Sequence, residues 1–419
     1  MFEPLASLFS SIWPGFSQWL RGITYIDFIW MFWPLIVVDT IRSVGKSIIL
    51  LGDWVMRRLR KKSDDPLVYP MVSLIIPAHN EEKAIEQAIQ AALETVYPNK
   101  EVIVVDDGST DRTLEIAKPY ADKRLIKLIH RDDASGSKSG ALNYGILFST
   151  GDVIISVDAD TLLERGAIME MLKPFSDPGV NAVSGNVRIL RGEKGADNLI
   201  VKLQAYEYVQ SLELGRRFAS LANTLLIISG AFGAFRKKDI VSLGVYSTDT
   251  ITEDFDATIK VRKMNKKIVF ADKAVSWTFA PETWKAWRRQ RIRWTRGQFE
   301  TIMKHRNVLR GGGFNLSFVV AVYDMILIDF LLLFVRTLWL PVFIVIYREA
   351  ALYILALMFI LYLGLETSQF IVAGILSPRK DDLKKAPLIP VMVLFYRPYY
   401  SLIRFQAYIQ SITKRGKQW

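Results

Sequence analysis

The sequence predicts an α/β protein: one domain built on a mostly parallel sheet, flanked by α-helical transmembrane segments and amphipathic interface helices. Three observations lead there. Short apolar runs alternate with helix-period segments between residues 71 and 157. Long hydrophobic stretches bracket that region on both sides. The composition is 51% hydrophobic yet 23% charged, with a mean hydropathy of +0.19, which suits a water-exposed domain on membrane segments better than either alone. The 419 residues accommodate one domain of about 200–250 residues beside several spans.

Residues 4–20 are apolar and uncharged but broken by Pro14, as in an interfacial helix or half-span. The stretch Ile26 to Leu51 is long enough to cross a bilayer, but Asp39, Arg42 and Lys46 then need the interface or a protein partner. The first basic residue is Arg21, so the N-terminus lacks the basic region of a signal peptide. Lys61 to Pro70 reads as a linker. Strands are expected at Met71 to Ile76, ended by Pro77, then at Glu101 to Val105, Arg124 to Ile129 and Asp152 to Val157. Asn80 is the expected N-cap of a helix that lines up Ala84, Ile85, Ala88, Ile89, Ala92 and Leu93. This alternation implies a Rossmann-like sheet with helices on both faces and ligands at the carboxyl ends of its strands.

After residue 280 the pattern changes. Trp284, Trp287 and Trp294 recur at helical spacing among Lys285, Arg288, Arg289, Arg291 and Arg296, as in an amphipathic helix at a membrane surface. Gly311-Gly312-Gly313 breaks the chain, and apolar stretches follow at Phe314 to Tyr347, Ala351 to Leu376 and Leu388 to Ile412. The first exceeds one perpendicular crossing of about 20 residues, so the parity of crossings stays open. The expected division is 1–60 (N-terminal interfacial and transmembrane helices), 61–280 (the sheet domain), 281–313 (interface helices) and 314–419 (C-terminal membrane region).

The formal charge of +12 is read through the positive-inside rule rather than as a nucleic-acid footprint. Arg57 to Lys62 and the cluster Arg379, Lys380, Lys384 and Lys385 flank hydrophobic stretches. The sheet domain is therefore expected on the cytoplasmic side of a cell membrane crossed more than once, in contact with membrane lipids. The chain has no cysteine, which excludes disulfides and thiolate chemistry, and three histidines make a His-rich metal site unexpected.

Asp158-Ala159-Asp160 closes the fourth strand. Past a strand end both carboxylates can reach one Mg²⁺ or Mn²⁺, with diphosphate oxygens completing the shell; the alternative is a solvated turn. Asp106 and Asp107 sit at the end of the second strand as acceptors for a nucleobase, or as an Asx turn, with Asp111 capping the next helix. Pro77 and Glu81 lie on the same donor edge. Lys138 precedes Gly140 at a helix start, a place that suits phosphate, without the spacing of a Walker motif. Thr252-Glu253-Asp254 offers a carboxylate as general base, or simply a helix cap with an acidic first turn. In Gln290-Arg291-Ile292-Arg293-Trp294, Arg293 offers a forked donor to a diphosphate and Trp294 a face for a sugar ring.

In this order, the motifs resemble the processive, membrane-integrated family 2 glycosyltransferases, the synthases of cellulose, chitin, hyaluronan and poly-N-acetylglucosamine. Ser184-Gly185-Asn186, Ser229-Gly230, Ile251 to Asp254 and Pro281-Glu282-Thr283 look closest to the poly-N-acetylglucosamine synthases. The resemblance implies a GT-A domain, a UDP-sugar donor, inversion at the anomeric carbon, and export of a β-linked polysaccharide through a pore in the same chain. It further implies that Asp106 and Asp107 bind uridine, Lys138 lies near the nucleotide, Asp158 and Asp160 bind metal, and Asp254 is the base. Gln290, Arg293 and Trp294 would form the donor helix at the pore mouth, with Ser229 and Gly230 meeting the acceptor. The partners implied are the UDP-sugar, the growing polysaccharide and an accessory subunit or second copy. The alternatives are a single-addition transferase on a lipid carrier, a hyaluronan- or glucan-type synthase, and a degenerate scaffold or export channel. The intact Asp158, Asp160 and Asp254 speak against the last.

Overall fold

The computed structural model describes residues 38–59, 69–310, 314–348 and 350–413, with isolated residues between 14 and 30. The segment 4–20 lies mostly outside the described residues, as do most of the linker 61–70 and Gly311 to Gly313. The strands are β1 (Val72–Ala78), β2 (Lys100–Asp107), β3 (Lys127–Arg131), β4 (Val153–Val157), β5 (Thr161–Leu163), β6 (Val180–Gly192), β7 (Phe232–Arg236) and β8 (Lys267–Ala280). They form one eight-stranded sheet in the order β3-β2-β1-β4-β7-β6-β8-β5. The first four are parallel, β7 runs antiparallel to β4 and β6, and β6 and β8 are parallel.

Helices α1 (Ile41–Leu59), α2 (Ile85–Glu94), α3 (Thr113–Asp122), α4 (Lys138–Leu147), α5 (Ala167–Leu172), α6 (Leu199–Gln210), α7 (Arg217–Leu221), α8 (Lys237–Ser242) and α9 (Glu253–Lys263) precede or interleave with the strands. One face of β1, with Leu74 and Ile76, packs under Ile85, Ile89 and Ala92 of α2. Its other face, through Ile75, meets Ala141, Leu142 and Ile146 of α4. Burying both faces is what gives β1 and β2 near-continuous apolar runs.

Two local expectations are corrected. β1 runs through Pro77 rather than ending before it; the ladder with β4 stops at Ile75, leaving an edge where a residue without an N–H is tolerated. Asn80 does not cap α2, which starts at Ile85 behind Ala84. It adopts φ 58°, and its side-chain oxygen accepts from the Thr110 amide at 2.8 Å, stitching the end of β1 to that of β2.

α10 (Trp284–Lys304) forms as expected and is followed by α11 (Leu316–Asp324), α12 (Leu332–Tyr347), α13 (Ala350–Leu376), α14 (Ile389–Val391) and α15 (Arg397–Ile412). Among the described residues, two helices are long and apolar enough to cross a membrane: Leu316–Tyr347, of 32 residues, and Ala350–Leu376, of 27. The expected span Ile26 to Leu51 lies partly outside the described residues, and the stretch Leu388 to Ile412 is divided among shorter helices. α15 packs on α10, with Tyr408 against Phe299. The charges on the first stretch find protein partners: Asp39 pairs with Arg336 at 2.7 Å and accepts from the Tyr362 hydroxyl, and Arg42 pairs with Asp324 at 2.6 Å. Trp287 is not an interfacial anchor. It is fully buried, enclosed by Tyr396, Tyr399 and Tyr400, with its indole N–H donating to the Tyr396 hydroxyl at 2.9 Å.

Candidate active site

The parallel register sets Ala78 beside Asp106, so the loops after β1 and β2 share one edge of the sheet. Asp158 follows β4 on that edge. The antiparallel register of β4 with β7 pairs Val157 with Phe232, which delivers the turn Ser229-Gly230-Ala231 to Asp158 from far along the chain; the Asp158 amide donates to the Ala231 carbonyl at 3.4 Å. Gly230 is closely approached. A Cβ there would lie 3.1 Å from the Lys138 ammonium and 3.2 Å from Asp254 Oδ2.

Lys138, the first residue of α4, is the hub. Ser137 caps the helix, its hydroxyl accepting from the Gly140 amide. The Lys138 ammonium meets Asp158, lies 3.6 Å from Glu253 and donates to the Gly230 carbonyl at 3.2 Å. Burial works against its charge, but Asp158, Glu253 and Asp254 outweigh burial and hold it protonated well above the ordinary lysine range. Burial pushes the Glu253 carboxyl up, only partly offset by Lys138. Asp254 Oδ2 accepts from the Gly230 amide at 3.0 Å and Oδ1 from the Phe255 amide at 2.7 Å. Both acids occupy the first turn of α9, where the helix dipole favours negative charge. Thr252 stands at the N-cap position without a capping side-chain bond; its hydroxyl lies 3.4 Å from that of Thr301 on α10.

Two cavities meet at this hub. One, of about 440 Å³, is lined by Pro77, His79, Glu81, Asp107, Lys138, Asp158 and Asp160. The other, of about 630 Å³, shares Lys138, Asp158 and Asp160 and extends past Ser229, Gly230 and Thr252 to Asp254 toward Gln290, Arg293 and Trp294. Asp106 stays behind the smaller cavity, fully buried and 2.7 Å from His130 Nδ1. Asp107 accepts from the amide and hydroxyl of Ser135, at 3.0 and 2.6 Å. Arg293 is exposed, whereas Arg291 is buried, ion-paired to Glu207 at 2.6 Å and set 4.5 Å from the centre of the Trp294 ring.

The acids near β1 and β4 crowd one another. Burial and then Asp160 and Asp158 push Glu81 up to about 7, and burial and then Asp158 push Asp160 up to about 6. Among the described residues no three acids or histidines converge into a metal cage, so a cation held here would draw further oxygens from a ligand. Paired carboxylates with open positions suit hard, oxygen-seeking Mg²⁺ or Mn²⁺. Glu81→Gln is expected to stabilise the metal-free protein at pH 8 by on the order of 1 kcal/mol, after solvent screening. The sign follows from the raised value: folding favours the protonated acid, so Glu81 costs stability as pH rises from its unfolded range near 4.5 through about 7. Thermal melts at pH 5 and 8 check this; an equal shift at both would remove Glu81 from the acidic cluster.

Sequence reasoning passed over Gly297 and Arg216. A Cβ on Gly297 would lie 2.4 Å from the Thr252 side chain, so this glycine lets α10 close against the start of α9. A lone glycine inside a helical run was the available signal. Arg216 lines the larger cavity and carries no motif.

Residues 73–244 match the model of glycosyl transferase family 2. Over 234 residues the chain is 31% identical to the poly-beta-1,6-N-acetyl-D-glucosamine synthases of Staphylococcus epidermidis and Staphylococcus aureus, a match covering 56% of this chain and 56% of each relative. The chain thus spans little more than half the length of these relatives. A solved mannosyltransferase from Pyrobaculum calidifontis, in complex with GDP-Man and Mn²⁺, superposes with a TM-score of 0.58 at 22% identity, covering 91% of this chain and 98% of that one, and shares the fold. Residues 73–244, which hold the edge of the sheet and the acidic pair after β4, are thus similar to the family 2 glycosyl transferase domain.

Proposed function

We propose that the chain polymerises UDP-N-acetylglucosamine or a related UDP-hexose into a β-linked polysaccharide and passes it across a membrane. The observation that carries this is the meeting of two cavities at Lys138, Asp158 and Asp160, with Asp254 on the larger side only. The smaller cavity takes the nucleotide through Pro77, Glu81 and Asp107, with Asp106 behind it. The larger takes the acceptor beside Ser229, Gly230 and Trp294. The similarity to poly-N-acetylglucosamine synthases supports the choice of sugar, and the two long apolar helices support a membrane setting. Residues 61–280 are then the cytoplasmic catalytic domain, 281–313 the interface helices, and 1–60 and 314–419 the membrane parts, open to a second copy or an accessory subunit.

Asp254, within the Thr252-Glu253-Asp254 turn, accepts the proton of the acceptor hydroxyl. Its two backbone bonds fix the carboxylate, and the freed oxygen attacks the anomeric carbon. A single displacement inverts that carbon and releases UDP. Arg293 presents a guanidinium for the diphosphate, and Gln290 flanks it. Bound at Asp158 and Asp160, Mg²⁺ or Mn²⁺ would offset diphosphate charge. Lys138 lies between Asp158 and Glu253 and offsets part of their negative charge.

Trp294 separates polymerisation from single addition. Its ring reaches the larger cavity, whereas Trp284 is 41% exposed and packs edge-on against Trp287. Trp294→Ala, reconstituted in lipid, is expected to shorten the products on a gel and Trp284→Ala to leave them near wild-type length. Equal, mild effects from both would reject the sugar platform, and wild-type products of one added sugar would favour the single-addition reading.

A further inference from the structure

Building on that reading, we propose that Arg216 is an acceptor-binding residue: its guanidinium, on the wall of the larger cavity, takes an oxygen of the acceptor sugar and so selects which hydroxyl faces Asp254. Arg216 ends the π-helical turn Ser211–Arg216 that joins α6 to α7. Such widened turns occur often at functional sites. Glu213 of this turn is fully buried and clamped from behind by Arg188, by Arg217 at 2.5 Å and by Asn186 at 3.0 Å. With one face held against β6, the turn presents Ser211, Leu212 and Arg216 to the cavity.

The charges of this region differ in one respect. Arg188, Arg217 and Arg291 each have a carboxylate partner. Among the described residues, the one hydrogen bond of Arg216 runs from Nη1 to the hydroxyl of Ser184, at 3.0 Å. A guanidinium has five donors in a planar fork, so most of its capacity is left for whatever fills the cavity. Burial lowers its pKa from the ordinary arginine range, with Tyr208 and Asp254 partly restoring the charge. A half-buried guanidinium of this kind gains when a ligand completes its bonds.

The chemistry of that ligand follows from the surroundings. Trp294, Tyr400 and Phe279 line the same cavity, giving ring faces for a pyranose, while the guanidinium offers donors and no acceptor. The match is a neutral sugar presenting hydroxyl or acyl oxygens. The link to the base is short. Ser184 Oγ also accepts from the Ser229 amide at 3.3 Å, and the next amide, of Gly230, donates to Asp254 Oδ2 at 3.0 Å. One turn therefore registers both the oxygen held by Arg216 and the hydroxyl offered to Asp254.

The test uses the full chain in lipid with UDP-N-acetylglucosamine and a short β-linked N-acetylglucosamine oligosaccharide as acceptor. Arg216→Gln is expected to raise the acceptor KM about 10-fold or more, the loss of a charged hydrogen bond, while the donor KM and UDP affinity stay within about twofold. Arg216→Lys should recover part of the acceptor affinity, and Ser184→Ala, which keeps the guanidinium but frees it, should have a smaller effect. An unchanged acceptor KM, or donor and acceptor constants that rise together, would overturn the assignment and leave Arg216 a scaffold residue. Failure of the wild type to transfer to this acceptor would instead overturn the reading of donor and acceptor on which the assignment rests.

Discussion

Asp254→Asn is expected to lower transfer by about 10²–10⁴-fold, the usual cost of losing a positioned general base, with UDP affinity near wild type. The substitution is nearly isosteric. The two oxygens of Asp254 are held by the amides of Gly230 and Phe255, and an asparagine keeps one acceptor for them while losing the ability to take a proton. The residue lines the larger cavity and not the smaller, so nucleotide binding should be spared. Asp254 also sits in the field of Lys138, and that ammonium keeps Asp158 and Glu253 as counter-charges in the variant. Initial rates and UDP calorimetry on the same preparation check the split. Near-normal turnover would remove the base role; a parallel loss of UDP affinity would assign Asp254 to the donor side.

The double variant Asp158→Ala/Asp160→Ala is expected to abolish synthesis and to match wild-type protein treated with EDTA. Mg²⁺ or Mn²⁺ should then restore the wild type and not the variant. These carboxylates lie at the junction of the two cavities. Burial and then repulsion from Asp158 raise the Asp160 carboxyl, and a divalent cation would relieve that repulsion. Removing them also strips Lys138 of its closest partner and leaves it Glu253 at 3.6 Å. UDP affinity should therefore lose its dependence on added metal, and a metal-dependent affinity surviving in the double variant would contradict the placement.

The parallel half of the sheet was legible because both its faces are buried. Ile75 and Ile76 pack on opposite sides, which writes a continuous apolar run into the sequence. The second half was not legible. β6 carries Asn181, Ser184, Asn186 and Arg188 at buried positions, where they bond to neighbouring elements, so its run looks polar. The pairing of β4 with β7 is set by register over a long separation, and no local signal places Gly230 beside Asp158. Motif residues at the ends of predicted strands came out near one another because a parallel sheet gathers its carboxyl ends. Trp287 was misread because a buried aromatic cluster and an interfacial belt use the same residue type, and only Tyr396, Tyr399 and Tyr400, more than a hundred positions on, tell them apart. The last apolar stretch packs part of its apolar side on α10, through Tyr408 against Phe299, a contact that its composition alone does not reveal.

The most direct test of the central claim is a sizing experiment. Purified protein reconstituted in lipid is incubated with metal and a panel of UDP-sugars, and the products are separated by length and digested with linkage-specific glycosidases. A long β-linked polymer from UDP-N-acetylglucosamine or one related UDP-hexose is the expected product, absent with Asp254→Asn. Products of a single added sugar, an α-linkage, or no transfer from any UDP-sugar would contradict it.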